Sequence, residues 1–284
     1  RGDNGTDQVP RTLVTEKSIR TQHLSSTVPE YKKQKGVMTE GVLLYCFDTP
    51  QVSYSKITDR CISLIERNLD LPVTVITDAD TEGRIKSNCD TRVVDVDKGN
   101  TKLSKPWYNL ERHLAYDHSP YDRTVVMDVD YFCYSDKILR LLRSKNDFLV
   151  HKSAHDVLHR EVMRYDREAM LDLVWATVLI FDKTPRTRAI FDTVKLVKQN
   201  YVHYCNLYRI TYKNFRNDYA FAIALNQING HREYDVIPDS IATVPADAEI
   251  LELNDNGAVI RYKDKTISLQ DQDLHFLNKE VANV

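Results

Sequence analysis

Two carboxylates, Asp128 and Asp130, stand one residue apart at the end of the apolar run Val125-Val126-Met127. Residues i and i+2 of a strand point to the same side, so the pair is expected to face one place. Like charges held together are costly unless a cation neutralises them or one of them takes a proton. An oxygen-only pair suits a hard ion such as Mg²⁺ or Mn²⁺, which also gathers oxygens from a phosphate. The plainer alternative has one aspartate capping the next segment and the other solvated. Position favours the metal, because Val125–Met127 reads as a fully buried strand and the pair sits where core meets solvent.

The surrounding pattern says how such a pair would be held. "VLLYCF" (42–47) reads as a strand running into Asp48-Thr49-Pro50, and "SKITDRCISLIERNL" (55–69) carries apolar residues at helical spacing. "VTVIT" (73–77) is a second strand, ending at Asp78, and "TRVVDV" (91–96) a third. "PWYNLERHLAYDH" (106–118) reads as a helix with proline in its first turn. Strands alternating with helices predict an α/β fold with a mainly parallel sheet covered on both faces. Ligands of such sheets bind beyond the carboxyl ends of the strands, where Asp48, Asp78 and Asp128 all fall. Further on, "AEILELNDNGAVIRYKDKTISL" reads as a hairpin turning at Asn-Gly, followed by the tail "DLHFLNK".

Composition narrows the class. The chain has 284 residues and a formal net charge of −2, which argues against general attraction to nucleic acid. No apolar run approaches the roughly 18 to 20 residues of a membrane span, and no signal-peptide pattern opens the sequence. The five cysteines show no CxxC or zinc-type spacing, so reduced core thiols and a cytoplasmic location are expected. Residues 1–37 are polar and poorly periodic and are expected to form a flexible or loosely docked extension, with residues 38–284 as a single domain.

With those elements in order, the segment "KPWYNLERHLAYDHSPYDRTVVMDVDYFCYSD" resembles the GT-A glycosyltransferases, Rossmann-like enzymes that use nucleotide-sugar donors. The resemblance runs through most of residues 41–280, on short motifs. It implies transfer of a hexosyl or pentosyl group from a nucleotide sugar, with a UDP-sugar expected, to a hydroxyl acceptor, dependent on Mn²⁺ or Mg²⁺. By that likeness Asp130 would ligate the metal, and Asp128 would contact the donor ribose and the metal or its water shell. Phe47, Asp48, Thr49 and Tyr54 would hold the base and ribose, with Asp78 in the same pocket. Lys105 and Arg112 would face the diphosphate. Trp175, Ala176 and Thr177, opening "WATVLIFDK", would contact the donor sugar. In "FRNDYAFAIAL", Asn217 would bind donor, and Asp218 would bind sugar hydroxyls or act as the catalytic base; one of the two is also an N-cap candidate. His275 would complete the metal site and Lys279 would meet the diphosphate, although the family's longer HxxGxxKPW form is absent.

Other classes fit less well. "VVMDVD" also resembles the nucleophile motif of haloacid-dehalogenase-type phosphatases, but Phe132 stands where that family has Thr or Val. A nucleotidyltransferase would want a glycine-rich loop after the first strand, and "FDTPQVSYS" has none. A non-catalytic nucleotide-binding or interaction protein remains an alternative. Residues 186–216, with seven Lys or Arg, one Asp and interleaved aromatics, permit a DNA acceptor such as a hydroxymethylated base, as in phage DNA-modifying glycosyltransferases.

Overall fold

A computed structural model describes residues 38–95, 101–102, 105–106, 111–162, 169–211 and 214–284. The extension expected over residues 1–37 and the side chain of Lys105 lie outside the described residues. The chain opens with β1 (Glu40–Cys46), α1 (Tyr54–Leu69), β2 (Val73–Thr77), α2 (Ala79–Glu82) and β3 (Asp90–Val93). After the short pair β4 (Thr101–Lys102) and β5 (Lys105–Pro106), a 3-10 turn (Glu111–Leu114) runs into α3 (Ala115–His118). Next come β6 (Arg123–Met127), β7 (Tyr131–Phe132), α4 (Lys137–Leu142), β8 (Phe148–His151), β9 (Ala154–Asp156) and β10 (Trp175–Asp182). Three helices, α5 (Pro185–Gln199), α6 (Tyr201–Leu207) and α7 (Asn217–Ile228), precede β11 (Ile241–Val244), β12 (Glu249–Leu253), β13 (Gly257–Tyr262), β14 (Lys265–Gln270) and β15 (Leu274–Phe276). A 3-10 turn (Lys279–Asn283) follows.

Among the described residues the main sheet has the order β3-β2-β1-β6-β10-β8. The first four strands are mutually parallel, and β10 runs antiparallel to both of its neighbours. This is the expected α/β architecture: a mainly parallel sheet with helices on both faces. Alternate residues of β1 enter opposite core layers, Val42, Leu44 and Cys46 packing with α1, and Leu43 and Tyr45 with α5 and α7. Burial on both faces is why β1 and β6 read as unbroken apolar runs. Helix α1 follows the same logic, with Ile57, Cys61, Leu64 and Ile65 at the spacing that fills one layer.

A second sheet, β7-β15-β11-β9, joins the residues just after Asp130 to the end of the chain. The C-terminal hairpin proves to be a three-stranded meander, β12-β13-β14. Its second turn is Lys263-Asp264, both left-handed at φ 49° and 61°, a turn that carries no glycine or asparagine signal in the sequence. Gly257 is needed for close approach rather than for turning, since a Cβ there would lie 1.8 Å from the Leu269 carbonyl oxygen. The helix expected over 106–118 is also corrected. Pro106 pairs with Thr101 in β5, residues 107–110 lie outside the described residues, and Glu111–Leu114 forms a 3-10 turn. The helical turns stop at Ser119, whose backbone is extended ahead of Pro120.

His151 closes β8 beside Trp175. Its ring is fully buried and neither nitrogen has a hydrogen-bond partner. Burial, with Lys137 adding to it, pushes its pKa down to about 3. Above the ordinary histidine pKa of about 6.5 the folded and unfolded rings are both neutral and the group contributes no pH dependence. Below it the unfolded chain takes up a proton that the folded ring refuses, so stability falls between about pH 6.5 and about 3. The slope due to this residue is about 1.4 kcal/mol per pH unit. Urea unfolding across that range should show a shallower loss in His151→Leu, and identical slopes would exclude His151 as the source.

Candidate active site

Strand β6 stops at Met127, so Asp128-Val129-Asp130 is a turn rather than strand, closed by Tyr131 N–H donating to the Asp128 carbonyl at 3.0 Å. The carboxylates converge because of that turn, not because of strand alternation. Among the described residues, Asp128, Asp130 and His275 form a cluster whose ligand atoms lie within 4.8 Å of one another. His275 arrives on β15, which pairs with β7 and donates Phe276 N–H to the Asp130 carbonyl at 2.8 Å. His275 Nε2 stands 3.3 Å from Asp130 Oδ1 and 3.8 Å from Asp128 Oδ2. Asp130 Oδ1 is buried without a hydrogen bond. Two carboxylates, one of them with a buried oxygen that accepts no hydrogen bond, and an imidazole suit a divalent cation.

Two cations of the chain already neutralise the pair. Arg112, expected to face a diphosphate, divides its buried guanidinium between Asp128 and the Ala176 carbonyl. The 3-10 turn at 111–114 carries it there. Lys279 donates to Asp130 and to the Phe276 carbonyl, so its ammonium sits inside the cluster. Burial by itself would raise the Asp130 carboxyl, but Lys279 and His275 hold it well below the usual carboxylate range. Lys279 is the mirror case: burial favours its neutral form, and Asp130 nonetheless raises its pKa above the ordinary value. Tyr54 shares this field. Burial raises its pKa, with Lys279 opposing and Asp130 and Asp128 reinforcing the rise.

The start of β10 is the second anchor. Its register against β8 shifts between Trp175 and Leu179, and that bulge turns backbone groups toward the site. Thr177 accepts from Asp128 N–H at 2.9 Å, and Ala176 N–H donates to Asp218 Oδ1 at 2.8 Å. Asp218 Oδ2 accepts from Arg216 at 2.8 and 3.1 Å. Neither Asn217 nor Asp218 caps α7. They are its first two residues, and Arg216 holds the cap position without a side-chain bond. Asp218 nevertheless complements the helix dipole there. Asn217 is buried beside it and Trp175 is half-buried at the strand's start.

The remaining expected donor residues are engaged with the protein. Phe47 turns into the core layer beneath the sheet at 5% exposure, so its ring is not offered to a base. The Asp48 carboxylate accepts from Ser55 N–H at 2.8 Å and Ser55 Oγ at 3.0 Å, which caps α1 from a distance, and it pairs with Arg84. Thr49 closes a tight turn with Val52. Asp78 is the N-cap of α2, accepting from Thr81 N–H at 2.9 Å. These aspartates lie at strand ends as expected, yet their oxygens are taken up in holding helix starts. Lys105 belongs to β5.

Most of the basic residues between 186 and 216 are also paired internally. Arg186 meets Asp147, Arg188 and Lys195 share Asp117, Lys198 meets Glu111, and Arg216 meets Asp218. Phe191, Tyr201 and Tyr208 are buried. Its described residues form two packed helices whose basic side chains are mostly paired, so no described feature supports a DNA-tracking face.

Sequence reasoning passed over Arg216, which orients Asp218, and Asp273, which grips the segment after Asp130. Arg216 stands two residues from Asp218 and was legible as a local pair. Nothing in the spacing linked Asp273 to Ser135.

No protein-family model and no curated protein matches the chain. Among solved structures it is similar to the glycosyltransferase GlyE in Streptococcus pneumoniae TIGR4, with 13% identity and a TM-score of 0.42 over 72% of this chain. The match covers 46% of GlyE, so the chain spans under half of that protein's length. It is similar to the galactosyltransferase LgtC in complex with donor and acceptor sugar analogs, at 14% identity, TM-score 0.42, 66% of this chain and 69% of that one. Mouse xyloside xylosyltransferase 1 gives 10% identity and TM-score 0.46 over 69% and 85%. Identities this low say nothing of activity. No helix among the described residues is long and apolar enough to cross a membrane.

Removing Lys279 would leave Asp130 buried with less compensation. Lys279→Met should lower stability by about 3 kcal/mol, the scale of breaking a largely buried ion pair. Added Mn²⁺ should recover part of that loss by binding only the folded cluster. Denaturant midpoints with and without Mn²⁺ test this, and a gap indifferent to Mn²⁺ would argue that no metal replaces the ammonium.

Proposed function

We propose that the chain is a metal-dependent glycosyltransferase of the GT-A type, moving a hexosyl or pentosyl group from a nucleotide sugar, a UDP-sugar by preference, to a hydroxyl acceptor. The observation that carries this reading is the convergence of Asp128, Asp130 and His275 at the carboxyl edge of a mainly parallel sheet. The catalytic unit would be residues 38–284. The five unbridged cysteines favour a reducing compartment, the cytoplasm.

Asp130 and His275 would hold Mn²⁺ or Mg²⁺ directly, with Asp128 presenting one oxygen while Arg112 keeps the other. The bound ion would offset charge on the departing nucleoside diphosphate. Lys279, tied to the 3-10 turn at the end of the chain, is the ammonium best placed to exchange Asp130 for a phosphate oxygen. Trp175 to Thr177 and Asn217 would border the donor sugar, and the turn at Thr49 with Tyr54 would border the nucleotide. In an inverting reaction Asp218 would take the acceptor's proton, for which Oδ2 must give up Arg216. The acceptor is a hydroxyl; the internal pairing of residues 186–216 leaves DNA without a supporting feature.

One observation favours a second reading. Arg112 and Lys279 already balance the two carboxylates, as a non-catalytic nucleotide-binding protein without metal would require. The phosphatase reading is weaker, because Arg112 engages the aspartate that would have to be the nucleophile.

A panel of UDP-, GDP- and CMP-sugars, assayed for hydrolysis with Mn²⁺ or with EDTA, separates these readings. Metal-dependent hydrolysis of a UDP-sugar is expected, abolished in Asp130→Ala while the protein stays folded. Hydrolysis of a GDP-sugar alone would overturn the donor assignment. Full activity in EDTA, or silence toward every donor, would overturn the metal-dependent transferase.

A further inference from the structure

The metal cluster is assembled from two remote pieces of chain, the turn at Asp128–Asp130 and the strand carrying His275. The backbone join between them is slight: β7 and β15 pair at only Phe132↔Leu274 and Tyr131↔His275, extended by the bond from Phe276 N–H to the Asp130 carbonyl. So short a ladder does little by itself to fix two ligands to the tolerance a metal demands. A side chain supplements it. Asp273, two residues before His275 and 7% exposed, accepts from Ser135 N–H and Ser135 Oγ, each at 2.9 Å, through Oδ1. Its Oδ2 accepts from the Tyr131 hydroxyl at 3.2 Å. All three donors belong to the segment that immediately follows Asp130, and Tyr131 is the next residue.

We propose that Asp273 is a positioning residue of the metal site: from the strand bearing His275 it grips the segment after Asp130 and so sets the spacing of the two ligands. The proposal rests on the reading of Asp128, Asp130 and His275 as a metal site. Asp273 lies outside the ligand cluster and acts through Ser135 and Tyr131. Three donors on one buried carboxylate make a directional clamp, since leaving any of them unpaired in this setting is unfavourable. Outer partners that orient metal ligands typically change metal affinity by about 10- to 100-fold when removed.

The test measures Mn²⁺ affinity of the full chain by calorimetry, beside thermal stability and the Mn²⁺ dependence of donor hydrolysis. Asp273→Ala should bind Mn²⁺ about 10- to 100-fold more weakly, with hydrolysis recovering toward wild type at saturating Mn²⁺. Asp273→Asn keeps an oxygen for Ser135 and should rescue most of the affinity. Ser135→Ala, which removes the Oγ bond to Asp273 and the bond that Oγ accepts from Lys137 N–H but touches no ligand, should give a smaller loss in the same direction and decides the matter if Asp273→Ala does not fold. Wild-type affinity in Asp273→Ala and Ser135→Ala, or a loss of hydrolysis that excess Mn²⁺ does not restore, would overturn the positioning role. Asp130→Ala separates the two claims. If it alone abolishes Mn²⁺ binding, the metal site stands and the positioning role falls. If neither it nor wild type differs from background, both fall.

Discussion

Repulsion between two carboxylates at the end of a buried strand is the constraint around which the site is organised. Asp128 and Asp130 would be unstable together in a partly dehydrated turn, and every element nearby supplies something to balance them. Arg112 comes from the 3-10 turn before β6, His275 from β15 and Lys279 from the last turn of the chain. The two counter-cations differ in freedom. The Arg112 side chain is 3% exposed and bound to a carbonyl as well, whereas that of Lys279 is 27% exposed on a terminal turn. One is enclosed by the protein, and the other is partly open to solvent.

The antiparallel strand β10 converts that charge arrangement into a site with two sides. Where it shifts against β8, Ala176 gives its carbonyl to Arg112 and its N–H to Asp218, and Thr177 meets Asp128 on the β6 side, so the start of this strand ties the carboxylate turn to the start of α7. A regular ladder would have directed the Ala176 groups at β8, whereas the Thr177 carbonyl continues the register of β10 on β6. The register shift therefore has a physical consequence in the site, as bulges beside functional groups commonly do.

Strand ends in this fold carry aspartates for two different reasons. Asp48 and Asp78 satisfy the open N–H groups of α1 and α2, which any helix starting just after a strand leaves unpaired. Asp128 is balanced by charge. From sequence alone the three look alike, each an aspartate closing an apolar run, and only the positions of the helix starts separate them.

Much of the architecture was legible in the residues themselves. Two-sided burial makes β1 and β6 read as apolar runs, and α1 declares itself through Ile57, Cys61, Leu64 and Ile65 because a helix buries one stripe. The aspartate pair was legible too, since local spacing brings Asp128 and Asp130 together whether the backbone is strand or turn. What failed were short elements with weak local signals: the third strand of the meander, whose turn is Lys263-Asp264, and the helix that Pro106 does not begin. Nor was it legible that Phe47 enters the core, that Arg112 pairs with Asp128 or that most described basic residues of 186–216 pair internally, because a side chain's partner is set by what packs against it. Sequence determines which residues prefer burial, turning or charge, through interactions only a few residues long. Tertiary structure alone decided that Arg112 meets Asp128, that Asp273 grips Ser135 and that His275 meets Asp130, because those contacts join remote parts of the chain whose spacing carries no periodic signal.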